Sequence, residues 1–90
     1  MPWKVALKPR AKRQLAKLDR SVQKRLLDFM DRLSGRDDPR ELGRALQGHH
    51  QLYKFRVGDY RIIAQIQEET LLVVVKLGHR REVYRELDGL

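Results

Sequence analysis

The chain has 90 residues, 20 of them Lys or Arg against 12 Asp or Glu, a formal net charge of +8. A surplus of that size on so small a domain favours a polyanionic partner. The absence of cysteine excludes a disulfide framework, a thiolate zinc site and a thiol nucleophile, and without an apolar run of spanning length neither a signal peptide nor a membrane segment is expected, so residues 1–90 read as one cytoplasmic domain.

The charge is uneven. Residues 1–45 hold 13 basic and 6 acidic side chains, residues 46–90 only 7 and 6, so the first half generates most of the field. Trp3, Val5 and Leu7 alternate with Lys4, Ala6 and Lys8, which predicts a short strand with one buried face. Pro9 ends it and suits the first turn of a helix; Ala11, Leu15 and Leu18 then recur at helical spacing and predict a helix over 9–18. Its other face carries Arg10, Lys12, Arg13 and Lys17. Asp19 is the expected cap of a second helix, in which Val22, Leu26, Phe29, Met30 and Leu33 form one apolar stripe that ends at Ser34 and Gly35. Two helices in succession make a hairpin, and Phe and Met in such a stripe belong to a core rather than a cofactor pocket.

From Arg36 to Gly48 the pattern lapses into Asp37, Asp38, Pro39 and two glycines, a loop with room for one helical turn, where the aspartates act as turn formers. Leu52–Val57 and Tyr60–Ile66 flank Gly58-Asp59, a two-residue connection whose glycine can take positive φ, so a tight hairpin is expected. A third run, Leu71–Leu77, follows Gln67, Glu68, Glu69 and Thr70 and adds a further antiparallel strand. A short helix is expected over 82–87. The fold class is therefore α+β: an N-terminal strand and a helix hairpin packed on a twisted, mainly antiparallel four-stranded sheet, closed by a short C-terminal helix.

The tight turn fixes a register in which Val57 faces Tyr60, Arg56 faces Arg61, Phe55 faces Ile62 and Lys54 faces Ile63. One side of the hairpin then holds Tyr53, Phe55, Val57, Tyr60, Ile62, Ala64 and Ile66, a core against the helices. The opposite side holds Lys54, Arg56 and Arg61. Taking residues 67–70 as the second turn sets Lys76 beside Arg61, a row of cations across three strands. Like charges facing one another on a sheet are destabilising, and an external phosphate is the counter-charge the pattern calls for. Gly78-His79-Arg80-Arg81-Glu82-Val83-Tyr84 brings more cations and a phenol to the strand end. His49, His50 and His79 read as surface or loop side chains, with no spacing that suits a metal.

The strand, the helix hairpin, Leu52-Tyr-Lys-Phe-Arg-Val-Gly-Asp-Tyr-Arg-Ile-Ile63 and Leu77-Gly-His-Arg-Arg-Glu-Val-Tyr84 together resemble the RelE/ParE toxin superfamily over nearly the whole chain. The resemblance to its RelE members implies a type II toxin that enters the ribosomal A site and cuts messenger RNA without a metal or other cofactor, restrained by an acidic RelB-like antitoxin. The RNA's own 2′-hydroxyl would attack the adjacent phosphodiester, leaving a 2′,3′-cyclic phosphate and a 5′-hydroxyl, so the protein must move protons and stabilise phosphorane charge. On this resemblance Lys54 falls at the lysine implicated in base chemistry, Arg61 and Arg80 at phosphate-binding arginines, and Tyr84 at the tyrosine that stacks on a base or assists proton transfer. Arg56, Lys76 and Arg81 are expected to bind RNA phosphates, and Arg10, Lys12, Arg13, Lys17, Lys24 and Arg25 ribosomal RNA. Arg56 stands where several relatives have a second lysine, and a guanidinium binds phosphate but does not shuttle protons. The same scaffold also serves ParE-like poisons of DNA gyrase and could serve a noncatalytic toxin that retains only antitoxin binding.

Overall fold

The computed structural model describes residues 3–49, 51–68 and 71–83. Strand β1 (Lys4–Leu7) leads into helix α1 (Pro9–Ala16) and helix α2 (Arg20–Ser34). A single 3-10 turn (Pro39–Leu42) then precedes strands β2 (Gly43–Ala45), β3 (Leu52–Val57), β4 (Tyr60–Glu68) and β5 (Leu71–His79). The strands form one sheet in the order β1-β5-β4-β3-β2, with β1 and β5 parallel and every other neighbour antiparallel.

Helix α1 stops at Ala16 rather than Leu18. The amides of Lys17 and Leu18 tighten onto Gln14 and Leu15 carbonyls, and Gln23 of α2 donates its Nε2 to the Leu15 and Ala16 carbonyls at 2.9 and 3.3 Å. Carbonyls left open by the helix end are thus satisfied by a side chain of the next helix. Asp19 occupies the N-cap of α2 as expected, but its carboxylate makes no capping bond.

The helices cover one face of the sheet. Ala11, Leu26, Phe29, Met30 and Leu33 pack with Trp3, Phe55, Ile62, Ala64, Leu72, Val74 and Leu77, and the Phe29 and Phe55 rings meet at 6.0 Å. All seven residues predicted for the inner side of the hairpin lie in this layer, Phe55, Ile62 and Ala64 buried and the other four half-buried around them. Trp3 clasps the start of β1 to the end of α2: its amide donates to Ser34 O at 2.8 Å and its indole N–H to Asp37 O at 3.0 Å, so the polar tip of a buried ring is satisfied.

The other face was expected to carry a row of cations across three strands. Part of it is apolar instead, because Leu52, Ile63, Val73, Val75 and Val83 form a second cluster there, with Leu46 at its edge. The sheet is therefore buried on both sides around Ile63 and exposed on its outer side only toward the hairpin turn.

Two features of the sheet escaped the sequence. The first is β2, the fifth strand, which lies in the predicted loop and pairs Gly43, Arg44 and Ala45 with Phe55, Lys54 and Tyr53. Three residues leave no alternation to read, and one of them is a glycine required by close approach: a Cβ at Gly43 would lie 2.6 Å from Lys54 O and 2.7 Å from the Phe55 ring. The second is a β-bulge. The β3–β4 register is the predicted one, and Gly58 takes φ +59. On the other side, however, β4 runs on to Glu68, and the partners jump from Ile63↔Lys76 to Ala64↔Val74. Past Val74 strand β1 no longer pairs with β5, and on that edge the Leu77 amide donates to the Gln14 side-chain oxygen of α1 at 2.9 Å, so a backbone group without a strand partner is satisfied by a side chain. Arg61 faces Gly78, not Lys76. Residues 80–83 turn back over the sheet; beyond Val83 the predicted C-terminal helix lies outside the described residues.

Candidate functional site

Where the outer face is exposed, Glu41, Leu42, Gly43, Arg44, Lys54, Arg56, Arg61, Arg80 and Arg81 line an open cleft of about 830 Å³. Six of the nine carry positive charge, and four separate pieces of chain supply them. Lys54 and Arg56 alternate with core residues on β3, Arg61 comes from β4, Arg44 from β2, and Arg80 and Arg81 from the turn after β5. Arg56 faces Arg61 and Arg44 faces Lys54 across the ladders. Each such like-charge pair costs a few tenths of a kcal/mol, so the sheet places cations side by side against its own stability.

Local bonds fix how they are presented. Arg61 Nη1 donates to Gly58 O at 2.8 Å and Tyr60 O at 2.9 Å, which ties one arm of the fork to the hairpin turn. The Arg80 amide donates to Asp59 O at 2.7 Å and its guanidinium pairs loosely with the Asp59 carboxylate at 3.8 Å, so the turn after β5 is docked on the same hairpin. The carboxylate in the wall, Glu41, is paired with Arg36 at 3.6 Å. Below it Asp38 starts the 3-10 turn, accepting the Arg40 amide at 3.1 Å and the Arg40 guanidinium at 2.8 and 3.0 Å. That hydrogen-bonded guanidinium holds the Asp38 carboxyl below the ordinary carboxylate range, and the carboxylate in turn raises Arg40.

Lys54, Arg56, Arg61, Arg80 and Arg81 are thus brought together as predicted, and Lys76 is not. Lys76 pairs instead with Ile63, farther from the hairpin turn than Arg61, is only 4 % exposed, and borders a second cavity of about 430 Å³ with Arg10, Gln14, Lys17, Tyr60 and His79. Its placement in a row with Arg61 is therefore corrected. Arg10 and Lys17 belong to that second cavity, whereas Lys12, Arg13 and Lys24 are simply exposed on the helices. Arg25 reaches the hairpin turn: a Cβ at Gly58 would lie 2.5 Å from its Nη2. The predicted helical basic face is split rather than continuous with the cleft. Tyr84 lies outside the described residues, as does His50. Arg44 was missed, because nothing in Gly43-Arg44-Ala45 signals a strand; only its charge, one residue past Gly43, marked it.

Among the described residues no three His, Asp or Glu side chains gather as a metal site, and no helix is long and apolar enough to cross a membrane. What the cleft offers chemically is a concave array of guanidinium forks with one ammonium, suited to phosphate oxygens. The class defined by these features is that of small layered α+β proteins with a concave cationic cleft on the sheet.

Comparison narrows the class. A family described as the ParE toxin of type II toxin–antitoxin systems, parDE, matches residues 5–84, and the chain belongs to this RelE/ParE group of toxins. No curated protein sequence matches it. Among solved structures it is similar to the RelBE2 toxin–antitoxin complex of Mycobacterium tuberculosis, with 27% identity, a TM-score of 0.78, and coverage of 91% of this chain and 95% of that one. The archaeal RelE–RelB complex of Pyrococcus horikoshii matches with 27% identity and a TM-score of 0.71 over 92% and 100% of the two chains. A free E. coli RelE toxin carrying two arginine-to-alanine changes matches with 25% identity and a TM-score of 0.73 over 88% and 84%.

Proposed function

We propose that this toxin is a ribosome-dependent endoribonuclease that cuts messenger RNA in the A site, using side chains to drive attack of a 2′-hydroxyl on the neighbouring phosphodiester. The observation that carries the reading is the convergence of six cations from four chain segments on one cleft, at the expense of like-charge pairing. Arg61 and Arg80 hold the scissile phosphate and stabilise the extra negative charge of the phosphorane. Lys54, between them and β2, takes the proton of the 2′-hydroxyl, and Tyr84 stacks on a base or helps to protonate the leaving 5′-oxygen. Arg44, Arg56 and Arg81 bind flanking phosphates, which a guanidinium does well and proton transfer does not require. The products are a 2′,3′-cyclic phosphate and a 5′-hydroxyl. In this reading the exposed helical cations contact ribosomal RNA, the protein works in the cytoplasm, and a RelB-like acidic antitoxin covers the cationic cleft.

Primer extension on translated messages tests this. Lys54→Ala and Arg61→Ala should each lose about 100-fold or more of the cutting rate, the usual scale for an acid–base or oxyanion-stabilising group. Undiminished cutting by both rejects the assignment.

A second reading is favoured by the family description itself, which is that of ParE: a poison that binds DNA gyrase. Purified toxin that stabilises gyrase-cut DNA and leaves messages intact would establish it, and expression without growth arrest would point to a decayed toxin.

A further inference from the structure

His79 ends β5, and its surroundings make it more than a surface histidine. Across the ladder it faces Tyr60, whose ring meets its imidazole edge-on at 5.7 Å and 81°. The four amides that follow are all accounted for: Arg80 donates to Asp59 O, while Glu82 and Val83 both donate to His79 O at 2.9 Å. The remaining amide, that of Arg81, donates to the His79 imidazole Nδ1 at 3.1 Å. Three of four consecutive amides therefore end on one residue, and the turn they define carries both cleft arginines of this segment. Val83, 1% exposed, anchors its far end in the outer apolar cluster.

We infer that His79 is a positioning residue, whose Nδ1 acceptor, braced by Tyr60, sets the turn that aims Arg80 and Arg81 into the cleft. It acts through those arginines and lies itself in the wall of the second cavity, on the other side of the strand end. The inference deepens the ribonuclease reading and rests on it for its effect on cutting, but the hydrogen bond can be measured without any RNA.

Three variants separate the roles. Asparagine can place its side-chain oxygen near the position of Nδ1, glutamine places its polar atoms farther out near Nε2, and alanine supplies neither. Amide hydrogen exchange at Arg81 is read in the free protein, together with the melting temperature; single-turnover cutting is read on programmed ribosomes. His79→Ala and His79→Gln should expose the Arg81 amide and slow cutting by about tenfold, the scale of one lost hydrogen bond in an organised site. His79→Asn should retain both, with all three variants folded. Equal protection of the Arg81 amide in His79→Ala and the parent protein overturns the inference, as does a His79→Asn variant as impaired as His79→Ala. Should the parent protein fail to cut RNA, the ribonuclease reading falls while the exchange measurement still decides the role of His79.

Discussion

Two hollows lie on either side of the strand ends, and both are lined by basic side chains. In the cleft, Arg44, Arg56, Arg80 and Arg81 are exposed and Lys54 and Arg61 half-buried, so charge is held at the surface where a ligand can reach it. In the cavity beside α1, Lys76 is nearly sealed from water. Burying an ammonium is costly unless it is paired and hydrogen-bonded, and Lys76 does have interaction partners. In the reading proposed above the same residue type serves a ligand at Lys54 and the fold at Lys76, and what separates the two is burial, not charge.

Substitution should separate them. The largest effect is the loss of cutting in Lys54→Ala and Arg61→Ala, with thermal melting little changed; Arg61→Ala relieves a like-charge pair with Arg56 but gives up the bonds to Gly58 O and Tyr60 O, so the two contributions offset. Lys76→Met should do the reverse, losing about 1–3 kcal/mol in urea unfolding by removing the interactions its nearly buried ammonium makes, with cutting per folded molecule unchanged. A Lys76→Met variant that is stable but inactive would undo the contrast.

Gly43→Ala should blur it. The methyl has no room between Lys54 O and the Phe55 ring, so strand β2 must shift at a cost of about 1–3 kcal/mol, carrying Arg44 away from the cleft; loss of both stability and RNA affinity is expected. Arg44→Ala tests the same edge without the strain. It should weaken RNA binding and lower the slope of log affinity against log salt by about one phosphate contact. Smallest of all is Asp38→Asn. Because Arg40 lowers the folded-state pKa of Asp38, the carboxylate contributes stability that is present above its unfolded pKa and is lost as pH falls through the folded one. The variant should melt slightly below the parent at pH 7, and the gap should close under strongly acidic conditions.

The hairpin was legible because each local signal agreed with the next: Gly58-Asp59 set the turn, the turn set the register, and the register sorted Phe55 and Ile62 from Lys54 and Arg61. The failures came where structure depends on distant partners. Strand β2 exists because Lys54 and Phe55 offer it a ladder and a surface, neither visible in Gly43-Arg44-Ala45. The β5 bulge shifts the partners between Val74 and Lys76, and an uninterrupted alternation laid over Leu71–Leu77 therefore gives Lys76 the wrong partner. The apolar patch around Ile63 was hidden for a related reason: Val75 and Val83 reach it only after the bulge and the final turn. What carried the site into view was the tandem of hairpin and Gly78–Val83 turn; its sixth cation, Arg44, needed coordinates.

The order of strands bears on how such a chain is born. β5 is translated after the other four strands of the sheet, yet it sits between β1 and β4, and the two arginines of the following turn come later still. While it is still inside the exit tunnel, the first strand has nothing to pair with and the cleft is incomplete. Assembly must therefore wait for late, long-range pairing, and the cationic cleft is completed only after β5 and the turn behind it have emerged.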